Sequence, residues 1–353
     1  MSPPAPALPL TAISHFQRFR LRRDGLAGRI ALALLLSIGC AAALIALAGH
    51  NPLVAFAAIV EGAVGSPHQI GAALNRCTPY LLAGGGVAFC LRAGIINIGA
   101  EGQIAMGGAG AAAAAFAFSG APPVLAILAA LTGGVLAGAT WAGLATAIHL
   151  GRNVHEVLAT LLLNFIAILL VQQFLAGPLG QFGAGFLQSP LMPRETWLPR
   201  LAGFDAHPGF LIAIVAAAAL SFVLWRTPFG FALRVAGSSR RAAAYAGFSL
   251  PRLTWGAMLI AGALAGLAGG IEVLGVHRRL IEGFSLGFGF KAVTVALLGA
   301  MEPLAVVPAA LFVGLLESGS LAMQRQIGVP SALVTVIEGM TMLFVLAATV
   351  RRP

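Results

Sequence analysis

The sequence predicts an all-α polytopic integral membrane protein of about ten transmembrane segments, some of them discontinuous, with both termini cytoplasmic. Three observations carry this. Hydrophobic residues make up 59% of the chain and charged residues only 9%, with a mean hydropathy of +0.94, whereas soluble domains carry roughly a quarter charged residues. The apolar runs are long and rich in Ala, Leu and Gly, which fits helical spans and not the alternating strands, about ten residues each, of a membrane barrel. Polar, glycine-rich stretches interrupt the apolar runs at 91–103 and 277–290. At membrane depth each of their polar groups needs a protein or water partner.

Residues 1–26 open with MSPPAPALPL and continue into HFQRFRLRRD, a Pro-rich and then basic cytoplasmic tail. Segment 27–48 is too long for the core of a cleavable signal and long enough, at about 1.5 Å per residue, to cross the hydrocarbon core. It is read as the first span, entering from the cytoplasm. Residues 50–68 contain no Lys or Arg and lie outside, with room for a short interfacial helix.

The second span, 70–91, carries Arg76 and Pro79 near its outer end and Gly84-Gly85-Gly86 inside, a run expected to mark close backbone approach or a break. The polar stretch LRAGIINIGAEGQ at 91–103 leads into a third span through 107–118, whose GGAGAAAAA face suits tight packing. The fourth span is 124–150 and the fifth 157–176, joined by the inside loop GRNVHE. Asn164 sits midway along the fifth, either as a helix-to-helix hydrogen bond or as part of a pathway.

Residues 177–208, with five prolines and few charges, form the longest outside loop, and 209–225 returns inside as the sixth span. The inside loop 226–252 holds more arginines than any other loop. Within it, Ser238-Ser239 followed by RRAAAYAG predicts a capped short helix ended by Gly247. The loop is either a solvated connector or a lever whose movement moves both flanking spans. Span seven is 253–276; segment 285–300, too short and glycine-rich to cross as one rod, is a discontinuous eighth; 304–323 and 331–350 complete the count before a basic C-terminus at 351–353.

The formal charge of +10 would point to nucleic acid in a soluble protein. Here Arg18, Arg20, Arg22, Arg23 and Arg29, the arginines of 226–252, and Arg351 and Arg352 fall in proposed inside segments, so the positive-inside rule accounts for the excess and no nucleic-acid partner is expected. The bilayer is the surrounding medium. Arg278 and Arg279 fall in an outside loop, against the trend, and Arg76 and Lys291 are left without a side. Cys40, Cys77 and Cys90 lie in or beside spans without CxxC spacing and read as packing residues.

No Walker A pattern or HExxH occurs, and His149, His155 and Glu156 match no metal signature, so no catalytic or metal-binding residue is assigned. Glu101, Glu317 and Glu338 are carboxylates at membrane positions. They serve either helix packing or proton or sodium coupling, which keeps an ion-coupled secondary transporter as the alternative reading.

Four stretches carry a more specific resemblance: AGIINIGAEGQ at 93–103, NVHEVLATLLLNFIA at 153–167, RVAGSSRRAAAYAGFSLPR at 234–252 and AVTVALLGAMEPLAVVPAALFVGLLESG at 292–319. From about residue 70 onward the chain resembles permease subunits of bacterial ABC importers in the ribose, branched-chain amino acid and nucleoside branch. NVHEVLATLLLNFIA with GVPSALVTVIEGM is similar to the nucleoside-type permeases that work with basic-membrane-protein-like binding lipoproteins.

The resemblance implies one permease domain over 27–350 in the bacterial inner membrane, importing a small polar solute, a nucleoside or simple sugar. It implies a second permease subunit, expected to be a paralogue, a periplasmic substrate-binding protein, and ATP-binding subunits that hold the ATP and Mg; this chain would hold no cofactor. It implies that Ala242, Ala243, Tyr245, Ala246 and Gly247 form a coupling helix against the ATPase. Asn97, Glu101 and Asn164 fall on characteristic positions and are the candidates for the translocation pathway.

Overall fold

A computed structural model describes residues 28, 31–201, 203–285 and 287–349. The expected cytoplasmic tail at 1–26 and C-terminus at 351–353 lie outside the described residues. The described chain is helical, without strands apart from one isolated bridge between Gln188 and Ile281. Its helices are α1 (Ala31–Leu47), α2 (Pro52–Val64), α3 (Pro67–Arg92), α4 (Ala100–Ala117), α5 (Pro123–Arg152), α6 (Glu156–Ala176), α7 (Gly209–Arg226), α8 (Pro228–Ser238), α9 (Arg240–Tyr245), α10 (Leu250–Ile271), α11 (Phe288–Leu298), α12 (Val306–Ile327) and α13 (Ser331–Thr349). A π-helical segment, Glu272–His277, extends α10.

Among the described residues, six helices are long and apolar enough to cross a membrane, or seven if α1 and α2 count as one broken span. α3 and α4 fall short of that standard because glycine and polar residues dilute their apolar content, yet both are buried along much of their length by protein. Such helices form the interior of a bundle and leave the lipid-facing positions to their neighbours.

The chain divides into two compact units, Met1–Leu53 with Val329–Pro353, and Val54–Gly328. In the first, α1 and α13 are joined by a bond between the Ser37 and Thr341 hydroxyls (2.6 Å), and Thr341 also donates to the Ile337 carbonyl (2.8 Å). Glu338 is buried on α13.

In the second unit, α4, α5 and α10 pack on one another and α3 packs against α7, α10, α11 and α12. Small residues set the spacing. A Cβ on Gly266 of α10 would lie 2.2 Å from the Gly134 carbonyl oxygen of α5, so this crossing is a backbone-to-backbone contact that only glycine permits. The run Gly84-Gly85-Gly86 does not break α3, which is one continuous helix; it brings α3 against Val295 of α11, Leu220 of α7 and Ala261 of α10. Dispersion contacts with three neighbours thus offset the weak helix propensity of glycine.

The 285–300 segment is discontinuous as its composition predicts: a loop runs up to Gly287, and α11 contributes 11 residues, too few to cross a bilayer. The basic loop holds two helices, α8 and α9, where the sequence foretold one. Thr227 caps α8 by accepting from Gly230 N–H, and Ser239 caps α9 by accepting from Ala242 N–H.

Candidate functional site

Two constellations surround α11. The first is built on the turn 93–99 between α3 and α4, the stretch singled out by its polarity. Asn97, Glu101 and Asn164 are each at most 1% exposed and lie close together. Glu101 points from the first turn of α4 to the start of α11, where its two carboxylate oxygens accept from Gly287 N–H (3.3 Å) and Gly289 N–H (2.8 Å). A carboxylate there satisfies two of the donors a helix N-terminus leaves unpaired and lies at the positive end of its dipole. The approach needs glycine: a Cβ on Gly289 would lie 2.0 Å from the Glu101 backbone nitrogen.

Asn164 of α6 accepts from Gly102 N–H (2.8 Å) and donates to the Ile98 carbonyl (2.9 Å), while Thr160 accepts from Ile98 N–H (3.4 Å). Asn97 accepts from Gly99 N–H (2.9 Å) and exchanges two 3.2 Å bonds with the Gln103 amide. All three candidates are therefore held by protein groups, and together they fix the turn, the start of α4 and the start of α11.

The second constellation lies among α3, the π-segment, α11 and α12, and the sequence left its members unpaired. Glu317 of α12 is bound by Arg76 Nη1 (2.9 Å), by Lys291 Nζ of α11 (3.2 Å) and by the Tyr80 hydroxyl. Tyr80 also meets the Phe288 ring edge-on at 5.3 Å between centroids, so this α3 side chain touches both α11 and α12. Arg76 lies about 14 Å along α3 from its first residue, by the helical rise. A signal was present: two cations and a carboxylate at membrane depth each require a counter-charge. Sequence separations of 241 and 26 residues concealed which required which.

Beside this cluster a groove of about 390 Å³ runs between α2, α3, the π-segment and α12, lined by residues that include Gln69, Asn75, Arg76, Glu272, Ser318 and Arg325. Glu272 is 4% exposed; its Oε1 lies 3.5 Å from His277 Nε2, and its Oε2 has no hydrogen-bond partner among the described residues. π-Helical turns within α-helices recur at functional positions, and this one places Glu272 on the groove.

The same end carries the long loop. Asn75 donates to the Asp205 carbonyl (2.8 Å) and accepts from His207 N–H (3.0 Å). Arg279 donates to Gln188 (2.8 Å) and Arg278 stacks over Trp197 at 4.3 Å, so these two arginines are held by loop 177–208. Gly120 N–H donates to Glu195 (2.7 Å), which keeps that carboxyl below its ordinary value.

His207 is buried and 2.7 Å from where a Cβ on Gly275 would sit; burial lowers its imidazole from 6.5 to about 4. The folded form thus binds its proton less readily than the unfolded one, and the stabilisation, complete above pH 6.5, is lost as pH falls towards 4. Up to about 3 kcal/mol is at stake at this one site. Protection of the 203–209 amides, taken relative to the unstructured-chain exchange rate at each pH, is expected to fall over that interval in the parent and not in His207→Gln.

At the opposite end, Arg92 is paired with Glu302, whose second oxygen accepts from Trp225 Nε1 (3.0 Å), and Arg234 of α8 stacks on the Trp225 ring at 4.3 Å. α8 is thereby tied to the ends of α3 and α7 and to the turn before α12. On α9 and the turn after it, Ala243 is buried, Ala242, Tyr245, Ala246 and Gly247 are exposed, and Tyr245 is 93% exposed. Gly247 closes the turn with φ +81°.

A family described as branched-chain amino acid transport system / permease component matches residues 69–346. The guanosine ABC transporter permease protein of Bacillus subtilis (strain 168) is 32% identical over 318 residues, covering 89% of this chain and 91% of that one. The glucose ABC transporter permease protein of Haloferax volcanii is 33% identical over 318 residues, 87% and 83% of the two chains. The nucleoside ABC transporter permease protein of Lactococcus lactis subsp. cremoris is 28% identical over 308 residues, 84% of each. The match spans both constellations and the α8–α9 loop, and the chain belongs to the branched-chain amino acid transport system permease family, as a multi-pass permease subunit of an ABC importer.

Proposed function

We propose that this permease works in the bacterial inner membrane, beside a paralogous permease subunit, and moves a small polar solute into the cytoplasm, a nucleoside or alternatively a simple sugar. The observation that carries the reading is the similarity over 69–346 to permeases named for guanosine, nucleosides and glucose. Residues 27–350 form one permease domain with both chain ends cytoplasmic. Ten segments are reached by counting α1, α3 to α7, α10, α11, α12 and α13.

In this orientation loop 177–208 faces a periplasmic substrate-binding protein, and 226–252 faces an ATP-binding subunit that holds ATP and Mg. Ala242, Ala243, Tyr245, Ala246 and Gly247 form the docking helix and its turn, with Tyr245 the most exposed of them. Movement delivered there passes through Arg234, Trp225, Glu302 and Arg92 to α3 and the turn before α12. Asn97, Glu101 and Asn164 serve the pathway by fixing the turn before α4 and, through Glu101, the start of α11. Proton or sodium coupling is not favoured: Glu317 is already bound by two cations, and Glu101 by two backbone donors.

Affinity purification of the tagged full-length chain in mild detergent is expected to bring down an ATPase and a second permease. Tyr245→Ala with Gly247→Val should abolish uptake and release the ATPase while the permease pair remains. Uptake at the parent rate with the ATPase still bound would overturn the docking assignment.

A further inference from the structure

We propose that the groove between α3, the π-segment and α12 is a binding site for a neutral solute rich in hydrogen-bond donors, with Glu272 as its acceptor. Glu272 is buried on the groove with Oε2 unpartnered, although a carboxylate withdrawn from water ordinarily has its oxygens satisfied. The partner it lacks is a donor, which a hydroxyl or a heterocyclic N–H supplies. Anions are disfavoured by this oxygen.

The surroundings set the charge of the ligand. The charged side chains of the lining are Arg76, which is paired with Glu317 behind it, Arg325 and Glu272. Arg76 retains guanidinium N–H groups besides the one given to Glu317. Asn75 is committed to Asp205 and His207, which leaves the recognition to Glu272, with Arg76 and Gln69 as neighbours on the lining. A volume of about 390 Å³ lies within the range of sites for small organic ligands. The choice of guanosine as first probe rests on the proposed nucleoside function; the neutral-solute site does not.

The test uses the full-length permease in its complex, reconstituted in nanodiscs, with Cys40, Cys77 and Cys90 replaced by alanine and Ser318→Cys introduced on the groove. The rate of labelling by a charged, water-soluble thiol reagent is measured against concentration of guanosine, glucose or guanosine monophosphate. Guanosine should slow labelling, and guanosine monophosphate should not. Glu272→Ala should raise the half-protecting concentration by about tenfold or more, the loss expected when a charged acceptor leaves a hydrogen bond, and Glu272→Asp should restore part of it. Should Glu272→Ala fail to assemble, Glu272→Gln, of the same shape and with one acceptor fewer, decides the matter. Glucose protecting through Glu272 while guanosine does not would remove the nucleoside reading and leave the site. The site is overturned if Ser318→Cys is unlabelled in the assembled complex, if no neutral solute protects, if guanosine monophosphate protects equally, or if Glu272 variants leave protection unchanged.

Discussion

Glu317→Ala is expected to destabilise the permease by about 3–5 kcal/mol, the penalty for removing one partner of a buried ion pair. The carboxylate is 9% exposed and receives Arg76, Lys291 and Tyr80. Its loss leaves two partly buried cations without their counter-charge. The effect belongs to the uncompensated charges and not to the lost contacts, so a variant that removes the set together, Arg76→Gln, Lys291→Met and Glu317→Leu, should recover most of the thermal midpoint lost by the single change. Thermal unfolding of the detergent-purified proteins, followed by monodispersity, checks both. A single variant within about 0.5 kcal/mol of the parent, the ordinary range for a surface change, would show that the cluster is solvated.

Glu101→Ala should abolish uptake with the subunits still assembled. It removes a carboxylate that accepts two backbone donors at the start of α11, each worth about 1.5–3 kcal/mol for a charged acceptor. α11 is 11 residues long and has no side-chain cap of its own at Gly287, so Glu101 supplies the acceptor its first turn lacks. Glu101→Gln keeps one acceptor and should retain intermediate uptake. Asn164→Ala frees Gly102 N–H and the Ile98 carbonyl and should act in the same direction but less, about 1–3 kcal/mol, because those bonds are to a neutral amide. Uptake is measured per assembled complex. An undiminished rate in Glu101→Ala would mean that α11 is positioned by packing alone.

Much of the fold was legible because it follows from local chemistry. Glycine content and shortness marked 285–300 as a broken span, and α11 occupies Phe288–Leu298. Ser239 and Gly247 marked the two ends of α9, and the fifth span, expected from 157, begins at Glu156. α8 was missed because its sequence, PFGFALRVAGS, reads as part of a basic loop until Thr227 is seen capping it. The three glycines of α3 could mean a break or a close approach, and only the neighbours they touch, Val295, Leu220 and Ala261, decide between the two.

The sites divide in the same way. Polarity within an apolar chain together with the family resemblance selected Asn97, Glu101 and Asn164, and all three are buried in one network. What they hold was not legible, since Glu101 meets Gly289 across 188 residues. Arg76 and Lys291 were visible as cations without a side, and Glu317 as an intramembrane acid, but topology alone joins them. Glu272 carried the same signal as Glu317, an acid within span 253–276, but nothing in the sequence showed that it lines a groove.

Uptake by proteoliposomes tests the central claim most directly. The permease is reconstituted with its co-purifying permease and ATPase, and entry of labelled guanosine is followed with the cognate binding protein outside and ATP and Mg enclosed. The account predicts entry that requires all of these components and is lost when the ATPase cannot hydrolyse ATP. Entry of guanosine into vesicles holding this chain alone, driven by a proton or sodium gradient without ATP, would contradict it.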